Sequence, residues 1–181
     1  MPEPKTASDA PPPAIVLMGV CGSGKTSIGE PLAARLGYVF HDGDEFHPAA
    51  NIVKMSAGTP LTDADRWPWL DAIGAAFRKA AGEPGGIIIA CSALKKVYRQ
   101  RIAEAAGRPV AFVFLDGSTP TLRERMRTRK GHFMPASLLD SQLAILERPD
   151  AGEPALTVSI EPPIEAVIET IVAGLPGLAV G

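Results

Sequence analysis

Five short apolar runs, separated by segments with helical spacing, set the strongest limit on how this 181-residue chain can fold. The runs are rich in β-branched or aromatic residues and mostly lack polar alternation, which is typical of strands buried on both faces. The predicted strands are Ala14–Met18, Tyr38–His41, Gly86–Cys91, Val110–Leu115 and Ala155–Ile160. Because helices separate them, we predict an α/β fold: a three-layer α/β/α sandwich around a central five-stranded parallel sheet.

Helix start and stop signals bound the segments between these strands. Gly37 and Gly107 are predicted to end two helices. Thr62, with Asp65 three residues later, resembles a capping box, and Pro68 is expected in the first turn of the helix. The predicted helices are Lys25–Leu36, Pro48–Met55, a segment starting at Thr62, Leu94–Ala106, Pro120–Arg129, Pro135–Leu146 and Ile164–Val172. In such folds ligands bind at the carboxyl ends of the strands.

Composition excludes several classes of protein. With 18 Lys and Arg against 20 Asp and Glu, the chain lacks the basic excess of a duplex-binding domain, so no nucleic-acid partner is expected. The longest apolar runs fall far below the ~18 residues that span a bilayer, which predicts a cytoplasmic protein with no membrane partner. We expect a Pro-rich leader over residues 1–13, one domain over 14–174 and a tail over 175–181.

The segment after the first strand matches the phosphate-loop pattern G-x-x-x-x-G-K-[ST] at every fixed position. Glycines let the backbone curl so that N–H groups point at phosphate oxygens, and the following helix adds partial positive charge. We therefore predict ATP binding, with the lysine on the β- and γ-phosphates and the threonine hydroxyl on Mg²⁺. The predicted loop residues are Gly19, Val20, Cys21, Gly22, Ser23, Gly24, Lys25 and Thr26.

Carboxylates follow the second predicted strand, at the same edge of the sheet. If the chain stays extended, Asp42 and Asp44 face the same way, with His47 close by. One carboxylate could hold Mg²⁺, directly or through water, and the other could accept or orient the proton of an attacking hydroxyl. A solvated turn is the alternative. Asp116, at the end of the fourth strand, is a competing metal ligand, but we favour its interpretation as a turn and helix cap.

An ordered set of residues continues along most of the chain. It comprises Asp42-Gly43-Asp44-x-x-His47-Pro48-x-x-Asn51-Ile52-x-Lys54-Met55, Gly58-x-Pro60-Leu61-x-Asp63-x-Asp65-Arg66-x-Pro68-Trp69-Leu70, Cys91-Ser92-Ala93-Leu94-Lys95-x-x-Tyr98-Arg99, Arg125-x-x-x-Arg129-Lys130-Gly131-His132-Phe133 and Ser141-Gln142. This set resembles the gluconokinase signature, and the similarity covers roughly residues 14–172. The resemblance implies ATP-dependent phosphorylation of D-gluconate to 6-phosphogluconate by a homodimer, on a fold like that of the shikimate and adenylate kinases.

The resemblance also implies roles for the two carboxylates. Asp42 would touch Mg²⁺ through water, and Asp44 would bind the acceptor hydroxyl and act as its base or orienter. A small polyhydroxy acid further needs cations for its carboxylate and polar partners for its hydroxyls, and any one candidate could instead be structural. Besides Asp44, the candidate substrate-binding residues are His47, Lys54, Arg66, Ser92, Arg99, His132 and Gln142.

The basic segment from Arg123 to Lys130 has two interpretations. It could be a solvated charged face or a nucleic-acid patch. In kinases of the fold that the resemblance implies, however, such a helix and the loop after it form a small helical lid, here about residues 123–137. Arg125 and Arg129 share one helix face. Arg125 would then lie near the adenine or the phosphates, and Arg129 would neutralise charge on the transferred group.

Two alternatives to gluconate phosphorylation stay open at this point. The chain could phosphorylate another small acceptor on the same fold, such as a shikimate-like molecule or a nucleotide. It could also be a regulatory nucleotide-binding module without catalysis, although the ordered carboxylates and arginines argue against this. A nucleotide switch should show a base-specificity motif such as N-K-x-D, and the sequence contains none.

Overall fold

Five parallel strands form one sheet in the computed structural model, which describes residues 10–129 and 136–178. The strand order is β2-β3-β1-β4-β5, and all neighbouring strands run parallel. The predicted fold class is thereby confirmed, and the predicted strand ends lie within one residue of those observed. The strands are β1 (Ala14–Met18), β2 (Val39–Asp42), β3 (Ile87–Ala90), β4 (Ala111–Asp116) and β5 (Ala155–Ser159).

Helices fill each connection, as the sequence predicted. The helices are α1 (Lys25–Leu36), α2 (Ala49–Ser56), α3 (Asp63–Ala80), α4 (Lys96–Ala106), α5 (Thr119–Thr128), α6 (Ala136–Ile145) and α7 (Ile164–Gly174). Two 3₁₀ turns, Gly43–Phe46 and Leu175–Gly177, were not predicted. Within the described residues, no helix combines the length and the apolar character that crossing a bilayer needs.

The caps of the helices follow their sequence signals, with one correction. Thr62 and Asp65 form a full capping box at the start of α3, and Gly37 and Gly107 end α1 and α4 in left-handed conformations. Pro68, however, is the sixth residue of α3 rather than a first-turn residue, because the helix begins at Asp63. A proline there lacks the N–H for one intrahelical hydrogen bond.

Two apolar cores lie on opposite faces of the sheet, and β1 contributes to both. Ile15 and Leu17 point to the core that includes residues of α1 and α7. Val16 and Met18 point to the core that includes residues of α3 and α4. Side chains alternate between the faces of a strand, so a strand apolar at every position must be covered on both sides.

The strand order brings three carboxyl ends together. β1 pairs with β3 on one side and β4 on the other, and β2 pairs with β3. The loops after β1, β2 and β3 therefore open at one edge of the sheet, and they carry the phosphate loop, the Asp42–His47 segment and the Cys91–Lys95 segment. This edge is where the fold predicts a ligand site.

The close approach of α3 to α4 gives a stability prediction. A Cβ on Gly74 would stand 2.4 Å from the Ala105 Cβ and 2.9 Å from backbone atoms of α4. We expect Gly74→Ala to destabilise the protein by about 1–3 kcal/mol, because the overlap outweighs the gain of about 1 kcal/mol in helix propensity. Urea unfolding measures the difference.

Gly82→Ala is the control, since a Cβ there meets nothing within 4 Å. We expect its stability to stay within about 0.5 kcal/mol of the parent protein. Equal stability of the two variants would show that α3 and α4 are not in close contact at Gly74.

Candidate active site

The phosphate loop adopts a conformation that depends on glycine. Gly22 and Gly24 have φ values of 82° and 90°, in the left-handed region that side chains disfavour. The Lys25 ammonium donates hydrogen bonds to the carbonyl oxygens of Gly19 at 3.0 Å and Val20 at 3.2 Å. α1 begins directly at Lys25, so the partial positive charge of its N-terminus faces the loop. These features make an anion cradle.

One side chain from later in the chain bonds this loop, and a second lies beside it. The Gln142 carboxamide oxygen accepts a hydrogen bond from the Cys21 backbone N–H at 2.6 Å. Arg125 donates to the Ile160 carbonyl oxygen at 2.9 Å, and its Nη1 lies 3.4 Å from where a Gly24 Cβ would stand. Arg125 thus lies beside the phosphate loop, and its contact with the adenine or the phosphates stays a prediction. Gln142, predicted to bind the acceptor, bonds the phosphate loop in this structure.

Asp42 and Asp44 lie on the turn that follows β2. The Asp42 carboxylate accepts the Asp44 N–H at 2.9 Å and caps the 3₁₀ turn. The Asp44 side chain is 84% exposed, so its carboxylate is accessible to a ligand. The protein atoms around it, followed by the charge of Asp42, raise the pKa of Asp44 above its usual range, while the charges of His47, Lys25 and Arg129 oppose this rise.

Electrostatics link the phosphate loop to these carboxylates. Burial lowers the pKa of Lys25, and the negative charges of Asp44 and Asp42 act against that change. The positive charge of Arg129, at the end of α5, acts on both Asp44 and Cys21. Because β1 and β2 both pair with β3, the segments that carry Lys25 and Asp44 lie at the same edge of the sheet.

His47 is held in one orientation beside Asp44. Its ring stacks on Trp69 with a centroid distance of 4.2 Å, and its side chain is only 4% exposed. Burial lowers the pKa of His47, so the ring is neutral near pH 7. The Asn51 amide nitrogen lies 3.2 Å from Nδ1 and must donate to it, which places the ring proton on Nε2. Nε2 lies 3.9 Å from the Asp44 carboxylate.

Trp69 fixes the turn that carries Asp44, a role that the sequence analysis missed. Its indole N–H donates to the Gly43 carbonyl oxygen at 2.8 Å, and a Cβ on Gly43 would stand only 2.3 Å from the Ala90 carbonyl oxygen. The turn is thus pressed against the end of β3 and tied to α3. The available signal was Trp69 itself, which belongs to the ordered residue set but has no chemistry of its own to suggest a site.

Arg66 lies on α3, one helical turn before Trp69. It donates to the Tyr98 hydroxyl at 3.1 Å and lies 3.7 Å from the Asp63 carboxylate. The positive charge of Arg66 lowers the pKa of His47. This effect is smaller than those of burial, which also lowers it, and of Asp44, which raises it. Lys95, a member of the ordered residue set with no predicted role, lies 3.4 Å from the Asp63 carboxylate.

The structure corrects the interpretation of Arg99. This side chain is 2% exposed and forms a two-bond ion pair with Glu153, at 2.6 and 3.1 Å. Its remaining terminal nitrogen donates to the Ala93 carbonyl oxygen at 2.8 Å. A guanidinium whose three nitrogens all bond buried protein groups holds the fold rather than a substrate.

Lys54 also forms an ion pair within the chain. Its ammonium donates to both carboxylate oxygens of Asp65 at 2.8 Å, and Asp65 in turn caps α3. Ser92 is half-buried in the loop after β3, next to Ala93, which has a strained φ of 45°. Thr26 is exposed in the first turn of α1.

Asp116 was predicted to form a turn and a helix cap, with metal binding as the alternative. Asp116 forms an ion pair with Arg148 at 2.8 Å, and Ser118 rather than Asp116 caps α5.

Some predictions lie outside the described residues. They concern His132, most of the leader, the last three residues, and residues 130–135 in the central part of the predicted lid.

Comparison with known proteins agrees with this geometry. Residues 15–149 match a family model described as an AAA domain. The chain is 46% identical over 172 residues to a gluconokinase of Gluconobacter oxydans, covering 95% of this chain and 96% of that protein. It is 49% identical over 138 residues to the thermosensitive gluconokinase of Escherichia coli, covering 76% and 73%. The chain belongs to the gluconokinase family.

Solved structures support this membership. A gluconokinase from Sinorhizobium meliloti superposes with a TM-score of 0.82 at 48% identity, covering 93% of this chain and 94% of that one. The shikimate kinase of Aquifex aeolicus, at 21% identity and a TM-score of 0.58, shares the fold. The gluconokinase family membership and the predicted phosphate-loop kinase fold are therefore confirmed.

The Gln142 contact predicts a kinetic effect on the nucleotide. We expect Gln142→Leu to raise KM for ATP several-fold, because the Cys21 N–H loses its acceptor and the loop loses a support. KM for the acceptor should change little. Initial-rate measurements with each substrate varied in turn separate the two constants.

Ser141→Ala is the matched control, since among the described residues the Ser141 hydroxyl bonds only the Ser137 carbonyl of its own helix. It should leave both constants unchanged. A rise in KM for the acceptor alone in Gln142→Leu would restore the original interpretation of Gln142 as a substrate ligand.

The Lys54–Asp65 pair predicts a pH-dependent contribution to stability. The Lys54 hydrogen bonds and the Thr62 N–H lower the pKa of Asp65 from 3.8 to about 2. The folded protein therefore favours the charged form of Asp65. This adds to the free energy of unfolding above about pH 4, and the contribution is lost as the pH falls toward about 2. We expect Lys54→Met to be less stable than the parent protein above pH 4, with the difference shrinking in acid.

Urea unfolding across this pH range measures the effect, and Lys79→Met, an exposed lysine of the same helix as Asp65, is the control for lost charge. If Lys54 binds substrate instead, Lys54→Met will raise KM for the acceptor and keep the parental pH profile of stability.

Proposed function

We propose that this site transfers the γ-phosphoryl group of ATP to D-gluconate, forming 6-phospho-D-gluconate, with Asp44 and Lys25 as the central catalytic residues. The observation that carries the proposal is that the phosphate loop with Lys25 follows β1 and the turn with the exposed Asp44 carboxylate follows β2, and that both strands pair with β3. Membership of the gluconokinase family supports gluconate as the acceptor. It also disfavours a different acceptor or a non-catalytic module.

The residues at this edge fit Mg-ATP. The described residues hold no cluster of three or more His, Cys, Asp or Glu side chains for a protein-held metal. Mg²⁺ in kinases is held instead by one or two protein oxygens together with substrate phosphates and water. The Thr26 hydroxyl and the Asp42 carboxylate are suitable oxygen ligands, with Asp42 acting through water. When bound, Mg²⁺ neutralises phosphate charge.

Asp44 acts on the acceptor hydroxyl in this proposal. Its carboxylate is exposed, and its backbone is fixed by the Asp42 cap and by the Trp69 bond to Gly43. A carboxylate in such a position orients the hydroxyl and accepts its proton as the new bond to phosphorus forms. The raised pKa of Asp44 makes it a stronger base than an ordinary aspartate.

Lys25 and Arg129 act on the phosphoryl group. The Lys25 ammonium is held at the mouth of the loop by two carbonyl oxygens, and it can exchange these for phosphate oxygens. Arg129 supplies a second positive charge from α5. Fixed cations stabilise the charge on the transferred group, which is the main source of rate enhancement in phosphoryl transfer. His47 binds the acceptor through Nε2–H in this scheme.

The proposal also includes an oligomeric state and a cellular location. We propose a homodimer, as the sequence resemblance implied, and exposed apolar side chains on α2 and the edge strand β2 are surfaces that a second copy can cover: Val39, Ile52, Val53 and Met55. Light scattering would test this. A cytoplasmic location, where ATP is available, is also proposed.

Asp44→Asn tests the catalytic assignment. We expect kcat to fall by a factor of about 10²–10⁴, because the amide cannot accept the proton, while the melting temperature stays unchanged. In the parent protein kcat should fall as the pH drops through the raised pKa of Asp44. ADP release in a coupled assay measures both effects.

Glu45→Gln is the matched control, since it removes the adjacent exposed carboxylate of the same turn. It should retain near-parental kcat. Near-parental turnover by Asp44→Asn would show that another group orients the hydroxyl. ADP release with gluconate, shikimate, other sugar acids and nucleoside monophosphates tests the acceptor.

A further inference from the structure

Four side chains form a connected polar cluster at the carboxyl end of β3, and we call them the α3–α4 cluster: Asp63, Arg66, Lys95 and Tyr98. The buried Tyr98 hydroxyl donates to Asp63 and accepts from Arg66 at 3.1 Å. The Arg66 guanidinium and the Lys95 ammonium lie 5.4 and 5.5 Å from the centre of the Tyr98 ring. Two cations are thus held against one aromatic ring.

The charges within the α3–α4 cluster do not balance. Arg66 and Lys95 both lie within 4 Å of the same carboxylate, Asp63, at 3.7 and 3.4 Å. Other cations nearby each have their own carboxylate in the described part of the chain: the pairs are Lys54–Asp65, Lys96–Asp150, Arg99–Glu153 and Arg101–Asp71. Two like charges on one partner repel each other, so a second anion would stabilise the cluster.

The α3–α4 cluster is next to the proposed reaction centre. Arg66 precedes Trp69 by one helical turn, so both lie on the same face of α3. Trp69 stacks on His47, whose Nε2 faces Asp44. Lys95 lies in the loop after β3, the strand that pairs with β2, which carries Asp44 at its end. The side chains of Arg66 and Lys95 are 23% and 29% exposed, so a small ligand can reach them.

We propose that Arg66 and Lys95 bind the carboxylate of the acceptor, and that Tyr98 and Asp63 position these two cations. This inference rests on the proposed function, since gluconate is a monoanion at neutral pH. Its carboxylate and its phosphorylated hydroxyl are at opposite ends of a six-carbon chain. A carboxylate site must therefore lie beside Asp44 rather than at it, and the α3–α4 cluster lies there. Lys95 thus becomes a specificity-determining residue.

Lys95→Met is the direct test, with Lys96→Met as the matched control. Lys96 is the next residue and pairs with Asp150 on the surface, so its loss removes the same charge outside the cluster. We expect Lys95→Met to raise KM for gluconate about tenfold or more, because a charge-assisted hydrogen bond is lost. KM for ATP and the melting temperature should stay parental, Lys95→Arg should recover most of the affinity, and Lys96→Met should match the parent protein.

D-Sorbitol, which carries CH₂OH in place of the carboxylate, separates charge recognition from a structural effect. Its inhibition constant against gluconate should be the same in the parent protein and in Lys95→Met. Equal weakening of gluconate and sorbitol binding, or an unchanged KM for gluconate in Lys95→Met, would overturn the inference. The proposed function fails separately, if the parent protein does not phosphorylate gluconate.

Discussion

The burial of β1 on both faces is the constraint on which the rest of this structure depends. Every residue from Ala14 to Met18 is inaccessible to solvent, and the strand pairs with β3 and β4 along its length. A strand in that position needs helices on both sides of the sheet, which requires crossover connections and a parallel order. The same order places the loops after β1, β2 and β3 side by side. The geometry of the candidate site is thus a consequence of how one apolar strand is covered.

Local contacts then hold the segments of the candidate site. The phosphate loop is bonded by Gln142 from α6, and the Asp44 turn is tied to α3 by Trp69. The contacts that hold each segment therefore come from helices remote in sequence. Residues held in this way lose little freedom when substrates bind, which keeps reacting groups aligned. The strained backbone at Ala93 lies at the same sheet edge, where such strain is commonly found.

Most of the fold was predictable from the sequence, because burial patterns and helix caps are local signals. Strand ends were placed to within one residue, and the capping box at Thr62 was recognised from two residues. The prediction that Pro68 lies in the first turn of α3 was wrong. A helix can tolerate a proline beyond its first turn when that residue faces solvent, as Pro68 does. The 3₁₀ turn after β2 was not predicted, because it is held by the Asp42 cap, by a hydrogen bond from Trp69 and by close packing of Gly43 on Ala90. None of these contacts forms a local sequence pattern.

The candidate site was less predictable, because the type of a charged residue does not reveal its partner. Lys54, Arg66 and Arg99 looked equivalent in the sequence, yet Arg99 is paired in the core and Lys54 is paired with a capping carboxylate. Those carboxylates, Glu153 and Asp65, reach them only through the folded chain. What separates a structural cation from a binding cation is therefore the local balance of charge. That balance leaves positive charge at Arg66 and Lys95, the position that we propose for the carboxylate of the sugar acid.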